Sequence, residues 1–131
     1  MCGIAGVYGK EIAINQIKQC QDILKNRGPD NSDYYKSGNL ALIHTRLSIL
    51  DLSSRGNQPM IDRASGTVLV YNGEIYNFRE LQKKLDPAIQ ETNDSRVLLK
   101  LYIKYGNDCF QMLRGMFAIA IWEENKKKLT I

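Results

Sequence analysis

The chain has 131 residues, 44% hydrophobic and 24% charged, enough to build one core and too apolar for a disordered tail. Its 18 basic and 14 acidic residues are scattered in mixed-sign stretches without interleaved aromatics, so the net charge of +4 does not describe a nucleic-acid surface. No apolar run is long enough to span a bilayer, and no charged segment followed by an apolar one directs export, so no membrane partner and a cytoplasmic location are expected.

In chain order, Cys2 comes first, followed by the apolar, glycine-punctuated stretch 3–9, which reads as a short strand. Removal of Met1 would put a thiol and a free α-amine on one residue. Thiolate is the attacking form of cysteine, and an amine with a reference pKa of roughly 8 can accept a proton near neutrality, so Cys2 could carry both nucleophile and base. The alternative is a small buried residue at a strand start.

Residues 12–26 have apolar positions at helical spacing and end at Arg27-Gly28-Pro29-Asp30, where glycine and proline stop a helix. Cys20 sits on the apolar stripe of that helix, and Cys109 lies beside Phe110. With Cys2 these make an odd count without C-x-x-C spacing, so neither a disulfide framework nor a metal site is expected. Residues 32–35 and 40–45 read as two strands joined by Ser37-Gly38-Asn39. A long irregular segment, 46–62, follows, of the kind that lines functional sites.

Residues 67–71 have a central-strand composition that stops at Asn72-Gly73, a strong turn dipeptide. Asn77 is positioned to cap a helix over Phe78–Leu85, and Asp94 to cap the next, in which Val97, Leu98, Leu101 and Tyr102 share a face before Gly106. Residues 116–122 read as a strand buried on both faces, 126–128 as a charged hairpin turn, and 129–131 as the start of the returning strand. A hairpin cut in its second strand leaves an open apolar edge, so the chain reads as a fragment or as one whose edge a partner covers, a homodimer included.

Three polar segments stand at strand ends: His44-Thr45-Arg46, Asn72-Gly73-Glu74 and Asn93-Asp94. If they converge on Cys2, an asparagine amide and a glycine N–H supply an oxyanion hole, Arg46 supplies a planar fork for a carboxylate, and Glu74 and Asp94 face an ammonium group. The ligand so described is glutamine or asparagine. Each element also has a plain reading: a turn at Asn72-Gly73, a cap at Asp94, a surface pair of Arg46 with Asp51, and a hydrogen-bonded core residue at His44.

Taken together, Met1-Cys2-Gly3-Ile4-Ala5-Gly6, Arg27-Gly28-Pro29-Asp30, His44-Thr45-Arg46-Leu47-Ser48-Ile49-Leu50-Asp51-Leu52-Ser53, Gly56-Asn57-Gln58-Pro59-Met60 and Tyr71-Asn72-Gly73-Glu74-Ile75-Tyr76-Asn77 resemble, in order, the motifs of class II glutamine amidotransferase domains. Within that class the resemblance is closest to the glutaminase half of glutamine-dependent asparagine synthetase. It implies an α+β, four-layer αββα N-terminal-nucleophile hydrolase fold with two stacked antiparallel sheets. It also implies one domain over 1–131 that lacks its last strands, with the synthetase domain absent.

By motif, Cys2 would be the nucleophile, Asn72 and Gly73 the oxyanion hole, Arg46 the carboxylate ligand, and Glu74 and Asp94 the ammonium ligands. Glutamine would give glutamate and ammonia through a Cys2 thioester. The ammonia would go to an ATP-dependent synthetase, as a following domain or a separate chain. The glutaminase step needs no cofactor; ATP and magnesium belong to the synthetase step. An inactive glutamine-binding or regulatory module is the alternative. The chain departs from the usual pattern at Glu91-Thr92-Asn93-Asp94-Ser95-Arg96-Val97, where Arg96 replaces an acid, and it ends before the Asp-Arg-x-Gly stretch.

Overall fold

The computed structural model describes residues 2–49, 52–88 and 91–131. The elements are β1 (Gly3–Tyr8), α1 (Ile14–Leu24), β2 (Asn31–Ser37), β3 (Leu40–Arg46), β4 (Met60–Asp62), β5 (Thr67–Ile75), α2 (Phe78–Leu85), α3 (Asp94–Tyr105), β6 (Gly115–Glu123) and β7 (Lys128–Thr130). They form two antiparallel sheets, with strand orders β1-β3-β2 and β4-β5-β6-β7.

Strand alternation sorts the apolar residues into three layers of contact. On β3, Ala41 and Ile43 pack with Ile12 and Ile17 under α1, while Leu40 and Leu42 turn the other way to meet Val68, Val70 and Trp122 between the sheets. On β5 and β6, Leu69, Tyr71, Ile119 and Ile121 face Leu81, Val97, Leu98 and Leu101 of α2 and α3. The layers therefore run α1, first sheet, second sheet, α2 with α3. The sheets are also joined by Glu124, which accepts hydrogen bonds from Tyr35 Oη at 3.0 Å, Ser37 Oγ at 3.1 Å and Trp122 Nε1 at 2.5 Å. These donors and the Lys127 ammonium hold its carboxyl down at about 2.

Several expectations change in detail. Helix α1 ends at Leu24 and not at 26, because Thr45 Oγ1 takes the Leu24 carbonyl and the chain turns tightly from Leu24 to Gly28. Asn72-Gly73 is not a turn: both residues continue β5, opposite Ala118 and Phe117 of β6. Gly73 permits this approach, since a methyl there would overlap the Met116 carbonyl and lie 2.6 Å from Phe117 Cα. The strand over 116–122 is not buried throughout, for Met116 is 63% exposed and Phe117 41%.

Helix α3 is capped by Asn93, whose Oδ1 accepts the Ser95 N–H, so Asp94 is the first helical residue and not the cap. Asn77 stands at the N-cap of α2, but its side chain bonds the Met112 carbonyl and the Arg114 N–H. Cys109 is buried, and burial pushes its thiol up to about 11, away from reactivity.

Candidate active site

One cavity of about 220 Å³ opens where β1 begins, β3 ends and α3 begins. Cys2, Arg46, Gly73, Glu74 and Asp94 all line it, so four segments far apart in sequence bring five of the six expected site residues together. Asn72 is not among the lining residues; it adjoins the cavity through Tyr71 and Gly73, which are. Its Oδ1 is buried without a hydrogen-bond partner among the described residues.

The first residue of the site is tied to the end of β3. The Leu47 N–H donates to Cys2 Sγ at 3.4 Å, and Arg27 Nε donates to the Cys2 carbonyl at 3.3 Å. The Arg27-Gly28-Pro29-Asp30 turn is in turn fastened by Asp30, whose N–H reaches the Arg46 carbonyl at 3.0 Å and whose Oδ2 accepts the Ser48 N–H at 2.7 Å.

Arg46 is buried. Its Nη1 donates to the Ser53 carbonyl and to Asn57 Oδ1, both at 2.7 Å, and its guanidinium packs closely against Gly56. A methyl on Gly56 would come 2.8 Å from Arg46 Cζ and 2.7 Å from Asn93 Nδ2. Thus the irregular segment after β3 frames the cation. Asp51, the alternative partner of Arg46, lies outside the described residues.

The edge of β5 beyond β4 explains what Gly73 contributes. Strand β4 covers β5 only from Thr67 to Leu69. Past it, the Tyr71 N–H is taken by Gln58 Oε1 at 2.6 Å and the Ile75 N–H by Asp94 Oδ2 at 3.0 Å, so both point away from β6. In an antiparallel ladder every second N–H points to the same side. The Gly73 N–H, midway between them, is therefore directed off the same edge, and Gly73 lines the cavity there.

Asp94 is held by three donors: the Tyr71 hydroxyl at 2.6 Å and the Ile75 N–H on Oδ2, and the Ser95 N–H at 2.8 Å on Oδ1. Arg96, the departure from the usual pattern, faces elsewhere. Its Nε pairs with Glu91 at 3.1 Å, and Lys100 joins the same carboxylate at 2.6 Å, outside the cavity.

His44 is fully buried on the inter-sheet face of β3, as expected of a core residue, but neither ring nitrogen has a hydrogen-bond partner among the described residues. Burial pulls its pKa down to about 4, opposed only in part by the nearby Tyr71 main chain. It stands as a neutral core residue. Among the described residues no group of three or more His, Cys, Asp or Glu could hold a metal ion. A larger apolar opening of about 600 Å³ between β1 and β6, lined by Ile4, Gly6, Leu42, Val70 and Ala120, offers no charged group to an amino acid.

Sequence reasoning missed Gln58, Asn57, Gly56, Tyr71 and Arg27 as parts of this frame. All five lay inside the recognised motifs, but only their distant partners give them a role.

Two stacked antiparallel sheets between helical layers, with a cysteine at the chain start opening into a cleft beside them, define an N-terminal-nucleophile amidotransferase fold. The chain belongs to the glutamine amidotransferase domain family, which it matches over residues 1–131. It is 39% identical over 147 residues to a putative glutamine-hydrolysing asparagine synthetase 2 of Methanocaldococcus jannaschii, covering 96% of this chain and 28% of that protein. It is 37% identical to the glutamine-hydrolysing asparagine synthetase B of Escherichia coli, covering 96% of this chain and 24% of that protein. The chain thus spans about a quarter of the length of these relatives. In fold it is similar to glutamine phosphoribosylpyrophosphate amidotransferase from B. subtilis, solved with ADP and GMP, at a TM-score of 0.75 and 19% identity over 95% of this chain and 35% of that one.

Proposed function

We propose that this domain hydrolyses glutamine to glutamate and ammonia at Cys2, and that the ammonia serves an ATP-dependent synthetase of the asparagine-synthetase type, as a further domain or a separate chain. The observation that carries the reading is the meeting of Cys2, Arg46, Gly73, Glu74 and Asp94 around one cavity. It is a set of one nucleophile, one fixed cation, one outward N–H and two carboxylates. A free amino acid with a side-chain amide needs each of them.

In this mechanism the Cys2 thiol gives its proton to the α-amine freed by removal of Met1, and the sulfur attacks the amide carbon of glutamine. The Gly73 N–H and the Asn72 amide stabilise the oxyanion, a contribution of about 3 kcal/mol per donor in comparable sites. The protonated amine then delivers its proton to the departing nitrogen, and ammonia leaves a γ-glutamyl thioester. Water attacks that thioester to release glutamate and restore the thiol. Arg46 holds the α-carboxylate in a charge-assisted fork, while Glu74 and Asp94 hold the α-ammonium. The glutaminase step draws on these side-chain and main-chain groups; ATP and magnesium belong to the synthetase step.

The test is glutamate and ammonia release from glutamine by the chain with Met1 removed, with Cys2→Ala as control. Release by the parent and none by Cys2→Ala supports the reading. Equal release by both removes Cys2 from the chemistry, and glutamine binding without release leaves a binding or regulatory module instead.

A further inference from the structure

The buried contact between Tyr71 and Asp94 joins two cavity-lining residues 23 positions apart, and the reaction as derived makes no use of the tyrosine. Tyr71 is itself immobilised. Its ring packs in the layer between β5 and the helices, and its N–H is taken by Gln58 Oε1 at 2.6 Å. Its hydroxyl is buried with the Asp94 carboxylate as acceptor at 2.6 Å. Burial first, then that hydrogen bond, raises the phenol well above its ordinary range, so it remains a donor.

A carboxylate offers about four acceptor positions. On Asp94 two are filled on Oδ2, by Tyr71 and Ile75, and one on Oδ1, by Ser95. The remaining position is on Oδ1, and Asp94 lines the cavity. Without the phenol, Oδ2 keeps only a 3.0 Å backbone donor and the carboxylate can turn about its terminal bond.

We propose that Tyr71 is a positioning residue that aims the free lone pair of Asp94 at the substrate ammonium, and so makes the site select an α-amino acid amide over the same amide without its amine. The proposal rests on the assignment of Asp94 to the ammonium group. Through Gln58, the loop that frames Arg46 at the carboxylate end also sets the ammonium end.

The test is calorimetric binding to the full chain carrying Cys2→Ala, which does not turn over, with two ligands: glutamine and glutaramate, the same molecule without its α-amine. Tyr71→Phe keeps the packed ring; its melting curve is recorded beside that of the parent. The expected result is a loss of about tenfold in glutamine affinity with glutaramate affinity unchanged. An equal loss for both ligands, or no loss for either, overturns the proposal. Asp94→Asn separates the two levels. If it abolishes the preference for glutamine while Tyr71→Phe does not reduce it, only the role of Tyr71 fails. If Asp94→Asn leaves the preference intact, the assignment of Asp94 itself fails, and the proposal with it.

Discussion

The Leu47 N–H points at Cys2 Sγ from 3.4 Å, so the chain that leaves β3 supplies a main-chain donor to the sulfur at the start of the adjacent strand β1. In the proposed mechanism the α-amine of the same residue takes the proton of the thiol. Adding one residue ahead of Cys2 converts that amine into an amide nitrogen that cannot act as a base. The expected outcome is a fall in glutamine hydrolysis of roughly 10²- to 10⁴-fold with glutamine binding retained, read by glutamate release and calorimetry.

Gly56 is needed for room and not for an unusual backbone. A side chain there collides with the Arg46 guanidinium and with Asn93. Gly56→Ala is expected to push Arg46 off its Ser53 and Asn57 acceptors and raise KM for glutamine by about 10- to 100-fold, equivalent to about 1.4–2.8 kcal/mol. Arg46→Lys, which keeps the charge but loses the fork, is expected to act in the same direction. Steady-state kinetics of both variants check this; an unchanged KM in Gly56→Ala would show that the guanidinium does not hold the substrate.

Gly73→Ala presses a methyl onto the Met116 carbonyl and Phe117, within the β5–β6 pairing. The expected cost is about 1–3 kcal/mol of stability, together with loss of hydrolysis as the Gly73 N–H shifts. Urea unfolding and glutamate release measured on the same sample test both halves.

His44 couples stability to pH. Its native pKa of about 4 lies below the ordinary value of 6.5 that the unfolded chain retains. Above pH 6.5 both states are neutral and the group contributes nothing. As pH falls from 6.5 to 4 the unfolded chain takes a proton that the native state refuses, so stability drops, by at most about 3 kcal/mol from this group. Replacement by an apolar side chain removes no hydrogen bond found among the described residues. His44→Leu should therefore flatten the loss of stability between pH 7 and pH 4.5 in urea titrations, and equal slopes would refute the assignment.

The layer plan was legible only through the family resemblance, whereas the apolar faces of single elements follow strand and helix periods without reference to distant partners. The stripe of Val97, Leu98 and Leu101 on α3 is of that kind, while the sorting of Ala41 and Ile43 against Leu40 and Leu42 on β3 came from the structure. Where local preference and distant pairing disagree, the sequence misleads. Asn72-Gly73 has the composition of a turn, yet Ala118 and Phe117 hold it in the strand. Asp94 has the composition of a cap, yet Asn93 takes that place because the Asp94 carboxylate is drawn to Tyr71 and Ile75.

By itself the sequence determined the candidate chemistry: a cysteine at the second position, an arginine after a strand, a glycine beside an asparagine, and acids nearby, since residue type sets what a group can donate, accept or attack. Only the tertiary structure decided which of those groups share one cavity and what aims them. Gln58 and Asp94 take the N–H groups on either side of Gly73, and Ser53, Asn57 and Gly56 hold Arg46 in place. These contacts span 7 to 19 positions, and the physical reason they stay hidden in the linear order is that hydrogen bonds and close packing depend on which strand edges and loops the fold makes neighbours.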